Sequence, residues 1–265
     1  MSAGEVLPAI ILRTRPLGDA DLLVILLSAR NGKLEAAATR ARGSKRRFAG
    51  GLHPGMVGEA TVSRGRGALL RLSAFSATRS HAPVGQDLHR FAYVAYLCEL
   101  CDELVLGRQE DPRIFVELNR SLGALIEGAP RVSELRRFEL VLLDCLGLLP
   151  SFECCCVCGG AVRGEVIAFD AVRGGALCER HDRGGQRVQV EVLGLALGLA
   201  LGLAESDRAG DGASSAGIVD AVEASASAVR RALRDLSVSL LRPHLRRPLR
   251  SLAFLAQLPQ ATAGG

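Results

Sequence analysis

Residues 9–54 read AIILRTRPLGDADLLVILLSARNGKLEAAATRARGSKRRFAGGLHP, three apolar runs of strand length separated by turn chemistry at Pro16-Leu17-Gly18-Asp19 and at Asn31-Gly32. Asn-Gly is a strong hairpin signal, because both residues tolerate the positive φ of a two-residue type I′ turn. Beyond it, MVGEATVSR (56–64) and ALLRLSAF (68–75) add two more strands on either side of a tight turn at Gly65-Arg66-Gly67. Five short strands in the first eighty residues, with few helical periods among them, predict a small closed or nearly closed barrel. An OB-fold is the leading candidate and an SH3-like barrel the runner-up.

The same stretch holds most of the charge. Residues 1–80 carry 13 Lys/Arg against 5 Asp/Glu, a net +8, while residues 81–150 carry 7 against 11, a net −4, within a chain total of +5. A cationic field is therefore concentrated on the N-terminal module. Between the third and fourth strands, Arg40, Arg42, Lys45, Arg46 and Arg47 place five cations in eight residues, and Gly43, Gly50 and Gly51 follow or interrupt them. This reads as a mobile basic loop suited to phosphate contact, with Phe48 available to stack on a base. Arg13, Arg15, Lys33, Arg64, Arg66 and Arg71 reinforce it from neighbouring strands and turns. Asp19/Asp21 and Asp102/Glu103 read as turn and helix-surface charges.

After Pro83 the apolar period changes to about 3.6 residues, with Phe91, Val94, Leu97, Cys98, Cys101, Leu104 and Val105 on one stripe ending before Gly107. Further helices fit Asp111 to Glu127, opened by Asp111-Pro112 as cap and first-turn proline, and Val132 to Leu146, closed by Gly147. Another covers about Val190 to Ala204, a flexible polar loop is expected over 205–217, and Ile218 to Leu241 and Ser251 to Leu258 complete the set. The run LGLALGLALGLA (193–204) is far shorter than the roughly twenty residues that span a bilayer and reads as a buried helix. Glycines at 194, 198 and 202 would strip one of its faces for close packing. The predicted fold class is α+β: an OB-fold barrel over 1–80 that reads as nucleic-acid-binding, then an α-helical domain over 81–265.

Eight cysteines in 265 residues are too few for a secreted disulfide scaffold, and four of them crowd into 154–158. Cys155-Cys156-Val157-Cys158, with Gly159-Gly160 behind it, is followed, with nineteen residues between Cys158 and Cys178, by Cys178-Glu179-Arg180-His181. Two knuckles of this spacing turn four ligands toward one ion, and glycine after the first supplies the positive φ such a turn wants. A structural zinc held by Cys155, Cys158, Cys178 and His181, within a zinc ribbon inserted at about 152–182 of the helical domain, is the expectation. Cys154 or Cys156 could replace a ligand, so the register stays open. A second C-x-x-C, Cys98 to Cys101, lies in the apolar stripe of a predicted helix and reads as core packing, as does Cys145. Nucleotide-binding loops, nucleophile elbows and H-E-x-x-H are absent from the sequence, so no catalytic set is expected. The N-terminus carries no signal-peptide pattern, which fits a cytosolic protein without membrane association.

The order of barrel, basic loop, helices and cysteine insertion resembles the RecO family of bacterial recombination mediators. The carrying segments are residues 9–54 quoted above, RRFELVLLDCLGLLPSFECCCVCGG (136–160) and LLRPHLRRPLRSLAFL (240–255). The family places C-x-x-C-G after an L-G-x-x-P turn, which falls on Cys155 and Cys158, and usually closes the site with a second C-x-x-C, where this chain has His181. The resemblance implies single- and double-stranded DNA binding, annealing of complementary strands, and help in loading RecA. It implies RecR and the acidic tail of the single-stranded DNA-binding protein as partners, with RecF and RecA engaged indirectly, at the nucleoid. Arg136, Arg242, Arg246, Arg247 and Arg250, set among leucines, would suit such a tail. An RNA-binding or ribosome-associated protein is the alternative, and a metalloenzyme built on the cysteine cluster the third reading.

Overall fold

The computed structural model describes residues 4–44, 46–65, 67, 69–107, 111–128, 131–209 and 214–258, with side chains described outside 202–209 and 214–216. Five strands, β1 (Glu5–Pro16), β2 (Leu22–Ser28), β3 (Gly32–Ala38), β4 (Val57–Ser63) and β5 (Leu70–Ala77), close into a barrel in the order β1-β2-β3-β5-β4. All pairings are antiparallel except β3 with β5, where Ala36 and Ala37 face Leu70 and Arg71. This is the OB-type barrel expected. Ile11, Val24, Leu26, Ala36, Val62 and Leu72 fill its interior, following the two-residue period that sends alternate side chains inward.

The hairpin turn differs in detail from the expectation. Ser28 pairs with Gly32, so three residues form the loop, and only Gly32, at φ 60°, is left-handed; Asn31 is not. The three-residue loop of Ala29, Arg30 and Asn31 replaces the two-residue turn, and the left-handed glycine is the first residue of β3.

Strands β1 and β2 are buried on both faces: Ile10, Leu12, Leu23, Ile25 and Leu27, which alternate with the interior residues, are all buried. A barrel alone cannot cover that outer face. Helices α2 (Leu88–Leu104) and α3 (Pro112–Glu127) do so, α2 packing on β1 and α3 on β2, with α1 (Ala82–Gln86) against α2. Asp87 caps α2 by accepting the His89 and Arg90 amides at 2.8 and 3.1 Å, and Asp111 caps α3 through the Arg113 amide at 2.9 Å, just before Pro112. Helix α8 (Arg250–Leu255) also packs on α2. The chain consequently divides into compact units of 1–130 plus 246–265 and of 131–245, rather than at residue 80 where the barrel ends.

The second unit contains α4 (Val132–Cys145), a three-stranded sheet of β6 (Val166–Asp170), β7 (Gly175–Leu177) and β8 (Gln186–Gln189), and helices α5 (Val190–Ala209), α6 (Ser214–Ala224) and α7 (Ser227–Leu241). Helix α4 is its centre, packed by α5, α6 and α7. Two sequence expectations need correction. The polar stretch 205–217 is largely helical, since α5 runs on to Ala209 and α6 starts at Ser214, while 210–213 lie outside the described residues. The expected single helix from Ile218 to Leu241 breaks at Ser225-Ala226, where Arg230 donates to the carbonyls of Glu223 and Ser225 and so caps α6. Along α5 the glycine stripe is used at one described position: a Cβ on Gly198 would meet Ile218 at 3.0 Å, whereas Gly194 is exposed.

Candidate metal centre and cationic rim

The metal centre is built from two local turns. Cys155 ends up buried because its amide donates to Gly160 and its carbonyl accepts from Gly159, both at 2.8 Å, with Gly159 at φ 70°. Cys178 follows β7, and its carbonyl accepts from the His181 and Asp182 amides at 2.9 and 3.0 Å, which folds His181 back beside it. Hairpin β6–β7 brings the two turns together; Gly175 is required there, because a Cβ would stand 2.4 Å from the Ser151 carbonyl oxygen.

The resulting ligand atoms, three sulfurs and His181 Nδ1, all lie within 4.8 Å of one another. Cys158 and Cys178 sulfurs are 3.9 Å apart, Cys155 Sγ is 3.6 Å from His181 Nδ1, and Cys178 Sγ is 3.2 Å from it. A tetrahedron with metal–sulfur bonds of about 2.3 Å has edges of roughly 3.5–3.8 Å, so the four atoms fit one small, thiophilic ion such as zinc. Backbone amides, first that of Cys178, stabilise the Cys155 thiolate and push its pKa down to about 5, so this ligand is ready to bind a cation at neutral pH. The donor set is complete, with four ligands for four positions, which suits a structural ion. Cys154 and Cys156 stand outside it. Cys154 is exposed in a bridge to Ala161, and Cys156 is tied through its amide to the Ala176 carbonyl at 2.9 Å while burial pushes its thiol up. The other C-x-x-C is core: Cys98 and Cys101 are buried on α2, and burial drives the Cys98 thiol up to about 12.

The cations expected to touch nucleic acid separate into two groups. Arg15, Arg40, Arg42, Arg46 and Arg64 are exposed. Arg40 and Arg42 are held by the β1–β2 loop: the Arg40 amide donates to Asp21 Oδ1 at 2.7 Å, and the Arg42 guanidinium donates to the Asp19 carbonyl at 3.2 Å. Arg47 is half-buried, donating to Ser44 Oγ at 3.0 Å and to the Thr39 carbonyl at 2.8 Å, and lying over the Phe48 ring. Lys45 and Arg66 lie outside the described residues.

Arg13 and Lys33 form the second group. Both point to the C-terminal end of α2, where Arg13 Nε is 3.0 Å from Asp102 Oδ2 and Lys33 Nζ is 3.6 Å from Oδ1 and 2.5 Å from the Asp102 carbonyl. The Asp102 side chain is only 7 % exposed, so this is a clamp between barrel and helix rather than a surface charge. Phe48 is also corrected. It is a barrel core residue, bridged to Phe75, and has no free face for a base. Hydrogen bonds tie Arg40 and Arg42 to the β1–β2 loop and Arg47 to Thr39 and Ser44.

The arginines expected to meet an acidic tail are likewise divided. Arg136 is 4 % exposed and paired with the buried Glu139 at 2.8 Å, so burial removes it from any surface set. Arg242 is exposed in a short turn after α7, in the second compact unit, whereas Arg246, Arg247 and Arg250 belong to the first. Arg247 is paired with Glu103 at 2.5 Å, and Glu99 caps the start of α8 by accepting the Arg250 amide at 3.1 Å and the Ser251 amide at 2.8 Å. Asp21, Glu99 and Asp102 are the organising residues that sequence reading missed. Their partners lie 19, 152 and up to 89 positions away, so no local pattern announces them. Among the described residues no helix is long and apolar enough to cross a membrane.

Comparison with known proteins covers both halves of the chain. A family model described as Recombination protein O N terminal matches residues 1–82, and one described as Recombination protein O C terminal matches residues 85–206. A curated relative named DNA repair protein RecO from Anaeromyxobacter dehalogenans (strain 2CP-C) is 35% identical over 259 residues, 97% of this chain and 98% of the relative. Another of that name, from Myxococcus xanthus (strain DK1622), is 39% identical over 171 residues, 64% of this chain and 70% of the relative. The protein so named from Symbiobacterium thermophilum is 38% identical over 174 residues, covering 64% and 68%.

Proposed function

The chain belongs to the recombination protein O family of DNA repair proteins, and on that premise we propose that it is a non-catalytic mediator that binds DNA, anneals complementary strands and helps load RecA onto single strands. The observation that carries this reading is the set of exposed arginines, Arg15, Arg40, Arg42, Arg46 and Arg64, displayed at strand ends and loops of a closed OB-type barrel. Guanidinium groups held on backbone loops contact phosphate without reading bases, and each contact releases condensed counterions. Neutralising the phosphates of two strands at once lowers the repulsion that opposes their pairing, which is what annealing requires.

In this reading the Cys155, Cys158, Cys178 and His181 set holds one zinc ion, which when bound supplies a cross-link between the two turns of the ribbon and no chemistry on a substrate. RecR, the acidic tail of the single-stranded DNA-binding protein and, indirectly, RecF and RecA are the protein partners, at the nucleoid in the cytoplasm. For the tail, Arg246, Arg247 and Arg250 remain as surface candidates on the first unit, while Arg242 belongs to the second.

The test is annealing of complementary oligonucleotides by the whole protein and by a variant with Arg42, Lys45, Arg46 and Arg47 all changed to Ala. Slower annealing is expected at temperatures well below the variant's thermal midpoint, which loss of the Arg47 hydrogen bonds to Ser44 and Thr39 lowers slightly. A variant that anneals at the parental rate sinks the assignment of this loop to DNA.

A further inference from the structure

The basic loop owes its shape to a residue of opposite charge on a different loop. Arg40 has φ 52° and ψ 35°, the one non-glycine residue in the left-handed region among the described residues. A side chain in that conformation is disfavoured by contact between its Cβ and the backbone, by of order 1–2 kcal/mol, so something must hold it. Asp21 does so: its Oδ1 accepts the Arg40 amide at 2.7 Å. The rest of the β1–β2 loop adds to the hold. The Leu17 amide donates to the Asp21 carbonyl at 3.0 Å and closes the loop, the Arg42 amide donates to the Ala20 carbonyl at 3.3 Å, and the Arg42 guanidinium reaches the Asp19 carbonyl. The turn at Arg40 is where the chain leaves β3 and begins the arginine run.

We propose that Asp21 is a positioning residue for nucleic-acid binding, fixing the left-handed turn at Arg40 so that Arg40, Arg42 and Arg46 are presented together on the barrel rim. This rests on the reading of that rim as the DNA-contact surface. It has a consequence that simple electrostatics reverses. A carboxylate beside a phosphate-binding surface repels the ligand, so its removal by itself tightens binding. Loss of the positioning contact instead spreads the arginines over more conformations and weakens binding.

The experiment measures affinity of the full-length protein for a fluorescent single-stranded oligonucleotide over a salt series, with a thermal melt of each variant. Asp21→Ala is expected to weaken binding roughly three- to tenfold, the equivalent of one or two phosphate contacts. Asp21→Asn keeps the acceptor oxygen without the charge and is expected to bind as well as the parent or slightly better. Arg40→Gly loses one cation but takes the left-handed turn unaided, so adding Asp21→Ala to it is expected to change affinity less than twofold. If Asp21→Ala fails to fold, this double variant against Arg40→Gly, together with Asp21→Asn, carries the test.

Tighter or unchanged binding by Asp21→Ala overturns the proposal, as does an Asp21→Asn variant as weak as Asp21→Ala. A double variant that binds much more tightly than Arg40→Gly would also overturn it, because charge alone would then explain Asp21. A variant with Arg42 and Arg46 changed to Ala separates the two readings. If it binds as the parent does, the rim assignment fails. If it binds weakly while Asp21→Ala does not, only the positioning role fails.

Discussion

Arg13 and Arg15 are two residues apart on one strand, yet they have different roles. Arg13 faces α2 and shares Asp102 with Lys33, whereas Arg15 is exposed near the end of β1 beside the loop that holds Arg40 and Arg42. The same contrast recurs elsewhere: Arg136 is buried against Glu139, while Arg46 and Arg64 are open to solvent. A count of +8 over residues 1–80 therefore overstates the charge available to a ligand. Cations that meet a low-exposure carboxylate act as fasteners between elements, and those left on loops generate the field a polyanion meets.

The largest expected effect comes from breaking a fastener. Glu139→Ala leaves Arg136 buried beside no carboxylate at that position, and a loss of about 3–5 kcal/mol in unfolding free energy is expected by denaturant titration. Retained stability would mean that the pair is not a fastener. Next is the ribbon, whose fastener is the ligand set itself. On the proposed reading, elemental analysis should find one zinc ion per chain in the parent and none in Cys155→Ser, and the substitution should leave the barrel's DNA affinity within about twofold, because the rim shares no ligand with the site. An equal loss of DNA binding would tie the ribbon to the rim.

Asp102→Asn is expected to cost about 1–3 kcal/mol, since it uncouples Arg13 and Lys33 from α2, without weakening DNA binding. Weakened binding with intact stability would place Arg13 and Lys33 on the DNA instead. A smaller readout concerns thiols. With its thiol raised to about 12, Cys98 should resist alkylation at pH 8 in the folded protein, while exposed Cys154 reacts. Fast labelling of Cys98 would show that α2 opens from the barrel.

Fold and site were unequally legible in the sequence. The barrel could be read because strand alternation and turn residues are local, and the ribbon because its ligands come as two short pairs with glycine beside the first. What spacing left open depends on three-dimensional proximity: the atoms that lie within 4.8 Å of one another are those of Cys155, Cys158, Cys178 and His181, without Cys154 or Cys156. The fate of each cation could not be read. Whether Arg13 is a fastener or a contact depends on Asp102, 89 positions away, and whether Arg40 is displayed depends on Asp21. Phe48 misled for the same reason: an aromatic after a basic run looks free until Phe75 is brought beside it. The change of period near residue 80 coincides with the junction between the matched segments 1–82 and 85–206, whereas compactness follows burial and joins α2 and α3 to the barrel, because the apolar outer face of β1 and β2 needs them as cover.

The distinction between the two groups of cations is tested most directly by the salt dependence of binding to a single-stranded oligonucleotide. Two variants are compared with the parent: Arg15, Arg42, Arg46 and Arg64 all changed to Ala, and Arg13 and Lys33 changed to Ala. The logarithm of the binding constant falls with the logarithm of salt concentration by roughly 0.7 for each phosphate contacted. The rim variant is expected to lose about 2–3 in that slope, and the fastener variant to keep the parental slope while melting at a lower temperature. Equal loss of slope in both variants, or loss in the second alone, would contradict the account.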